Sequence, residues 1–372
     1  MKRWIRMVAL LSLLLLGFPA YAQEEALDEL SFEDIEESME EIFGDTQDLS
    51  FRELVLSLMQ GEIEFDLGEI AKQILNSCFG ELNTQKQAAL QILILTIIAA
   101  VFVNYTNVFE KSQTAEVSFY LIYLVLIMIL LKAFLGMETI VTEAVNQIST
   151  FLKALLPLYL LAAALANGSL TAIGFSELTL VMITILQWIL KVFILPGIHL
   201  YVILSILNRL NREDRFSKFT RLIRMILGWA LKTMTATVIG FQTVQCLVMP
   251  MIDALKTSLL HKAAGAIPGV GNIWNSVTDV VLGSAMLVKN AVGAAGMIIM
   301  AMICVMPLFK IALCVLLYRF LAAITQPVSD KRLTLCVEST ADGAELLLKV
   351  VVTTGLMFFV SLALVTAFVR GG

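Results

Sequence analysis

An all-α, polytopic membrane protein is the fold class that this 372-residue sequence predicts. Three observations carry the expectation. Apolar residues make up 59% of the chain against 15% charged, with a mean hydropathy of +0.86, far outside the range of soluble globular domains. The apolar residues are gathered into about seven runs, most of them near the length that crosses a hydrocarbon core of about 30 Å. The charges are segregated: residues 23–69 hold more than half of the 31 acidic side chains and a single basic one, Arg52, so the rest of the chain is net basic. That segregation disfavours a nucleic-acid binder, because the acidic part would be repelled and the basic part lies in or beside the membrane.

The first 22 residues have the order of an export signal. Lys2, Arg3 and Arg6 precede an apolar core at 7–18, and Ala20-Tyr21-Ala22 then forms a small-residue cleavage site before Gln23. The apolar core is short for a full crossing. Residues 23–86 are therefore expected as an acidic extracytoplasmic region, followed by a multi-span domain over 87–372. Within 23–86, Ser31 with Asp34, Ser50 with Glu53 and Asp66 with Glu69 have the spacing of helix-capping boxes, and Gly44, Gly61 and Gly80 supply stops. Ile35, Met39 and Ile42 share one helical face, as do Ile70, Ile74 and Cys78. These faces predict either mutual packing of three short helices or docking onto another exported protein. The five cysteines have no paired spacing, so neither a disulfide framework nor a zinc site is indicated.

The apolar runs fall at 88–109, 117–137, 151–166, 178–207, 227–250, 291–320 and 346–369. Between the fourth and fifth, the connection 208–224 carries six basic residues against Glu213 and Asp214, which predicts a cytoplasmic location. From Ser217 it has helical sidedness, with Lys218, Arg221 and Arg224 opposite Phe219, Leu222 and Ile223. That pattern predicts a helix lying on anionic headgroups before the next span. Residues 23–86 and 253–289 are expected outside, and 208–224 and 325–345 inside. With the N-terminus outside, residues 151–207 must cross an odd number of times. Either 151–166 inserts halfway and one long span kinks at Pro196-Gly197, or three short crossings break at 167–177 and at Pro196-Gly197.

The connection 251–290 is rich in proline and glycine. Pro268, Gly269 and Gly271 form a tight turn. No strand precedes them, no third glycine follows at nucleotide-loop spacing and no Gly-Lys-Ser/Thr is present, so a phosphate cradle is not indicated. Gly283, Gly293 and Gly296, among other small residues, then let two helix backbones approach closely where hydrophobicity supplies no drive. Leucine at 293 or 296 is expected to leave membrane abundance normal and to disrupt assembly. Ionisable groups at membrane depth snorkel, pair or line water. Lys191, flanked by apolar residues on both sides, and Lys289 with Asn290 are the candidates for a pathway. With two histidines and no catalytic motif, no enzyme, cofactor or metal centre is expected.

The stretches "NRLNREDRFSKFTRLIR", "AIPGVG", "TDVVLGSAMLVKNAVG" and "QPVSDKRLTLCVESTADG" give the chain a resemblance to the stage III sporulation protein AE family of endospore-forming bacteria, from about residue 88 onward. The resemblance implies a protein of the mother-cell membrane around the forespore, with its N-terminal region in the intermembrane space. It implies work with other stage III A proteins and stage II protein Q in a secretion-like transenvelope channel that sustains forespore development and late forespore gene expression. The alternative reading from the residues is a stand-alone secondary transporter, since interrupted helices are also a transporter feature.

Overall fold

The computed structural model describes residues 31–43, 50–61, 80, 83, 85–101, 113–167, 171–210, 216–264, 271–327 and 329–368. The signal segment, the expected helix near 66–78, Pro268 and Gly269 lie outside the described residues. Two short helices come first, α1 (Glu33–Phe43) and α2 (Phe51–Gln60). An apolar helix of intermediate length follows, α3 (Gln85–Val101). The remaining helices are α4 (Gln113–Asn167), α5 (Thr171–Ile189), α6 (Leu195–Leu210), α7 (Ser217–Ala264), α8 (Gly271–Thr325) and α9 (Lys331–Phe368), with α5 and α6 joined by a π-helical turn at Leu190–Ile194. Among the described residues five stretches are long and apolar enough to cross a membrane: Tyr120–Ala164, Glu177–Arg209, Ser217–Gln245, Gly283–Thr325 and Lys331–Ala363. Every described helix is α-helical apart from the π turn.

The seven apolar runs map onto this bundle with two differences. Runs 117–137 and 151–166 belong to one helix, α4, whose 55 residues extend about 82 Å at 1.5 Å per residue. The polar stretch between them contains no glycine or proline, and its side chains are satisfied in place. Thr139 and Thr142 donate to the carbonyls of Leu135 and Glu138, while Glu138 contacts His199 on α6. The second difference is at Pro196-Gly197. The chain does not break there but widens one turn earlier, where the Leu195 N–H bonds to the Leu190 carbonyl five residues back. Proline at 196 lacks an N–H and its ring would collide with the carbonyl four residues back, and a π turn absorbs that mismatch without ending the helix. Residues 171–210 thus form one antiparallel return after α4: the single long span of the first expected arrangement is present, whereas 151–166 continues α4 instead of inserting halfway.

Contacts fix the directions. Ser205 meets Ser339, Gln187 meets Ser149, Thr179 meets Gln245 and Arg319 meets Asp342. Helices α4, α7 and α9 therefore run one way, and α5–α6 and α8 the other. The C-terminal ends of α6 and α8 share one end of the bundle with the starts of α7 and α9, here called the basic end. Helix α9 is the hub, packing on α4, α6, α7 and α8. It buries residues on opposite faces, among them Leu333, Val337, Ala341, Leu347, Val351 and Phe358. Outward-facing Leu121, Met128, Val181, Trp188, Trp229 and Phe320 remain exposed, as a lipid-facing surface requires.

The amphipathic N-terminal helices find a partner that neither sequence expectation named. Phe32, Ile35 and Met39 of α1 and Phe51, Leu54 and Val55 of α2 share a core with Phe151 and Leu155 of α4 and Val292 and Ala295 of α8. They dock on the membrane bundle of their own chain, at the part of α4 and α8 remote from the basic end. Their capping also differs from the expected boxes. Ser50 makes no side-chain cap bond; Glu36 Oε1 instead accepts the Ser50 hydroxyl at 2.8 Å and the Arg52 N–H at 3.0 Å, so α1 caps α2. The glycine stop behaves as expected, since Gly61 at φ 75° returns its N–H to the Ser57 carbonyl.

Candidate functional site

The most concentrated polar chemistry lies at the basic end, where α7, α8 and α9 meet. Glu338, Asp342 and Glu345 stand at i, i+4 and i+7 on α9, and this spacing puts the three carboxylates on one helix face. Arg319, projecting from α8, reaches them: one terminal nitrogen lies 2.7 Å from Asp342 Oδ1 and 2.8 Å from Glu345 Oε2, and the other 3.9 Å from Glu338. Arg224 of α7 takes the second Asp342 oxygen at 3.3 Å, and Lys349 takes the second Glu345 oxygen at 2.8 Å. Three cations thus balance three carboxylates in a single network. Asp342 is the shared node, with its side chain 22% exposed. Charges near apolar surroundings are retained only when paired in this way, and here the pairing sets the rotation of three helices relative to one another.

Nearer the start of α9, on the face away from the network, Tyr123 of α4 is fully buried. Its hydroxyl lies 2.9 Å from the Ile206 carbonyl on α6, to which it donates, and 2.8 Å from Cys336 Sγ on α9. Ser205 donates to the Ser339 hydroxyl at 2.9 Å one turn away. Tyr123→Phe should remove the bond to Ile206 and lower stability by about 1 kcal/mol. For a chain of 372 residues that is about 1 °C in the melting midpoint of the detergent-purified protein. An unchanged midpoint would show that the hydroxyl contributes nothing to helix registration.

A second polar seam runs up α4 and α5–α6. Glu138 Oε2 is 2.7 Å from His199 Nδ1. Further along, Gln187 Oε1 accepts both the Ser149 hydroxyl at 2.8 Å and the Lys153 ammonium at 3.0 Å. Thr179 donates to Gln245 Oε1 at 3.1 Å at the far end. The seam ties helices pairwise. Around α9, by contrast, the fully buried side chains are mostly apolar.

The residues singled out from sequence are scattered over the bundle. Lys191 sits half-buried in the π turn, and Glu177, the nearest carboxylate in sequence, is exposed about 21 Å away along the helix axis. Lys289 is 2% exposed, so it does not snorkel to headgroups, whereas Asn290 beside it is exposed. Gly293 and Gly296 do mark close helix contacts, but within this chain. A Cβ at 293 would stand 2.7 Å from Thr366 Cγ2 on α9 and 3.0 Å from Tyr159 on α4, and one at 296 would stand 2.5 Å from Leu155 on α4. Gly283 has open space around it, and Gly271 begins α8. Residues 251–264 and 271–290 are helical, so the Pro/Gly-rich connection is confined to at most the few residues between α7 and α8. Lys218 and Arg221 are exposed on the first turns of α7, but Arg224 turns inward to Asp342, and the segment is continuous with the span rather than a separate surface helix.

Arg319, Asp342, Glu345 and Tyr123 escaped the sequence reading. A signal for the first three was present: an arginine inside the apolar run 291–320, and acidic residues at helical spacing just before the run 346–369. Tyr123 in a continuous apolar run gave none.

The stage III sporulation protein AE family model matches residues 49–368, which takes in α2 and all five long apolar stretches. The chain belongs to that family. Among curated proteins, the stage III sporulation protein AE of Bacillus subtilis (strain 168) is 25% identical over 312 residues, covering 84% of this chain and 78% of that protein. No solved structure matches the chain. Within the family-matched region lie every member of the charged network, Tyr123, Lys191, Lys289 and the close-contact glycines; of the described helices only α1, with its capping Glu36, precedes it. Membership makes this a sporulation protein embedded in a membrane by its helices.

Proposed function

We propose that the protein is a non-enzymatic membrane component of the transenvelope channel between mother cell and forespore, acting as scaffold or pore subunit together with other stage III A proteins and stage II protein Q. The observation that carries this reading is the family match across the whole helical bundle. Two features of the fold support it. The hub helix α9 packs on its neighbours mostly through apolar side chains and closes its carboxylates into ion pairs, an arrangement that favours a structural bundle over a stand-alone permease. The helices α1 and α2 sit on the bundle far from the basic end. If the basic end faces the mother-cell cytoplasm, as its lysines and arginines favour, that position presents them to the intermembrane space. The membrane proposed is the one surrounding the forespore, a reading that family membership supports.

The test has two arms. The purified chain in liposomes should move no solute specifically or saturably, and from sporulating cells it should co-purify with stage III A partners. Saturable transport by the chain alone would establish the permease reading instead. Cysteine labelling of the chain expressed in the plasma membrane of intact non-sporulating cells checks orientation: a cysteine at 212 should be shielded from an impermeant reagent, and one at 37 on α1 should react.

A further inference from the structure

Between α5 and α7 lies an open groove of about 930 Å³, lined on one side by Leu178, Val181 and Ile185 and on the other by Met225, Trp229 and Phe241. Its α7 wall runs from Met225 to Phe241, about 24 Å along the helix and longer than one leaflet of a core about 30 Å thick. The walls offer almost no hydrogen bonding. Thr237, one of the two threonines in it, donates its hydroxyl to the Thr233 carbonyl of its own helix. Such a surface accepts hydrocarbon and rejects polar solutes.

At the basic end the groove runs out against charge. Arg221 and Lys218 stand one and two turns before Met225 on the same stripe of α7, at i−4 and i−7. Both are exposed, and among the described residues neither forms an ion pair, whereas Arg224 is consumed by Asp342. Trp229, 74% exposed, lies on the groove wall two turns beyond Arg221, and an indole suits the boundary between headgroup and acyl chain. An apolar trough with unpaired cations at one mouth is complementary to an anionic amphiphile. We infer that this groove is a binding site for an anionic phospholipid, with an acyl chain along Val181, Trp229 and Phe241 and the phosphate on Lys218 and Arg221. The inference does not depend on the channel reading.

The full chain with Trp4, Trp188 and Trp274 replaced by phenylalanine keeps Trp229 as the sole tryptophan, and helical circular dichroism verifies that it is folded. In vesicles containing dibrominated phosphatidylglycerol, Trp229 should be quenched at a mole fraction about fivefold lower than in dibrominated phosphatidylcholine, each basic residue adding headgroup attraction. Lys218→Gln with Arg221→Gln should abolish the difference between the two lipids. Salt at about 1 M, where the screening length is about 3 Å, should abolish it in the otherwise unmodified single-tryptophan protein. Equal quenching by both lipids without added salt would mean only an unselective lipid belt. Quenching by neither would mean that protein, such as a second copy, covers the groove. Either result overturns the inference.

Discussion

Leucine at Gly296 or Gly343 should remove the protein from the membrane, and leucine at Gly283 should not. At 296 even a Cβ would lie 2.5 Å from Leu155 Cδ2 and 3.0 Å from its Cδ1. At 343 it would collide with Val202 of α6 and stand 2.9 Å from the Phe134 ring of α4, so the residue is pinned where α9 crosses two helices at once. Overpacking a well-filled core by a single group costs about 1–3 kcal/mol. A leucine brings three further carbons into contacts that already lack room for the first, which places both variants at or beyond the top of that range. Gly343→Leu should be the worse of the two, because its neighbours are an aromatic ring and a β-branched side chain, both less able to swing away than Leu155. A Cβ at Gly283 would meet nothing within 4 Å, so that position serves as the control. The measurement is steady-state membrane abundance with size-exclusion behaviour in mild detergent. Normal abundance of Gly296→Leu with loss of partner binding would restore the reading that the glycines face another protein.

The placement of these glycines against helices of the same chain shows what the sequence could and could not disclose. Small residues at helical spacing announce that backbones approach closely, because nothing else draws helices together in lipid. They do not announce whose backbone approaches. The partner of Gly293 is Tyr159 and Thr366, more than 70 residues away in either direction, and no local pattern encodes that pairing. Apolar length was similarly legible as membrane helix yet silent on continuity. The polar stretch at 138–147 resembles a loop until His199 is placed opposite Glu138, and Pro196-Gly197 resembles a break until the π turn before it relieves the proline. The amphipathic face of α1 was correctly read as requiring burial. The target of α1 and α2 could not be read, because the surface they cover on α4 and α8 is as apolar as one facing lipid. Charge was the most reliable guide: the basic connection does mark one end of the bundle, with the ends of α6 and α8 and the starts of α7 and α9 gathered beside it.

Reversing Asp342 should be the most damaging single charge change. Its two oxygens are divided between Arg319 at 2.7 Å and Arg224 at 3.3 Å, so Asp342→Asn weakens two attractions at once while keeping the shape. Surface ion pairs contribute about 0–1 kcal/mol and a broken buried pair costs about 3–5 kcal/mol. Because Asp342 is mostly shielded while both arginines are partly exposed, Asp342→Asn belongs between those limits, at about 2 kcal/mol. Asp342→Arg substitutes repulsion for both attractions and should at least double the loss, leaving little folded protein to recover from the membrane. The charge swap Arg319→Asp with Asp342→Arg separates a simple pair from a network. In a simple pair the swap restores the attraction and the melting midpoint with it. Here the new arginine would still face Arg224, and the new aspartate would face Glu345 in place of the cation now 2.8 Å from it. The swap should therefore remain nearly as unstable as Asp342→Arg. Recovery of the unmodified melting midpoint by the swapped protein would reduce the cluster to one isolated ion pair and remove its role in setting the rotation of α7, α8 and α9.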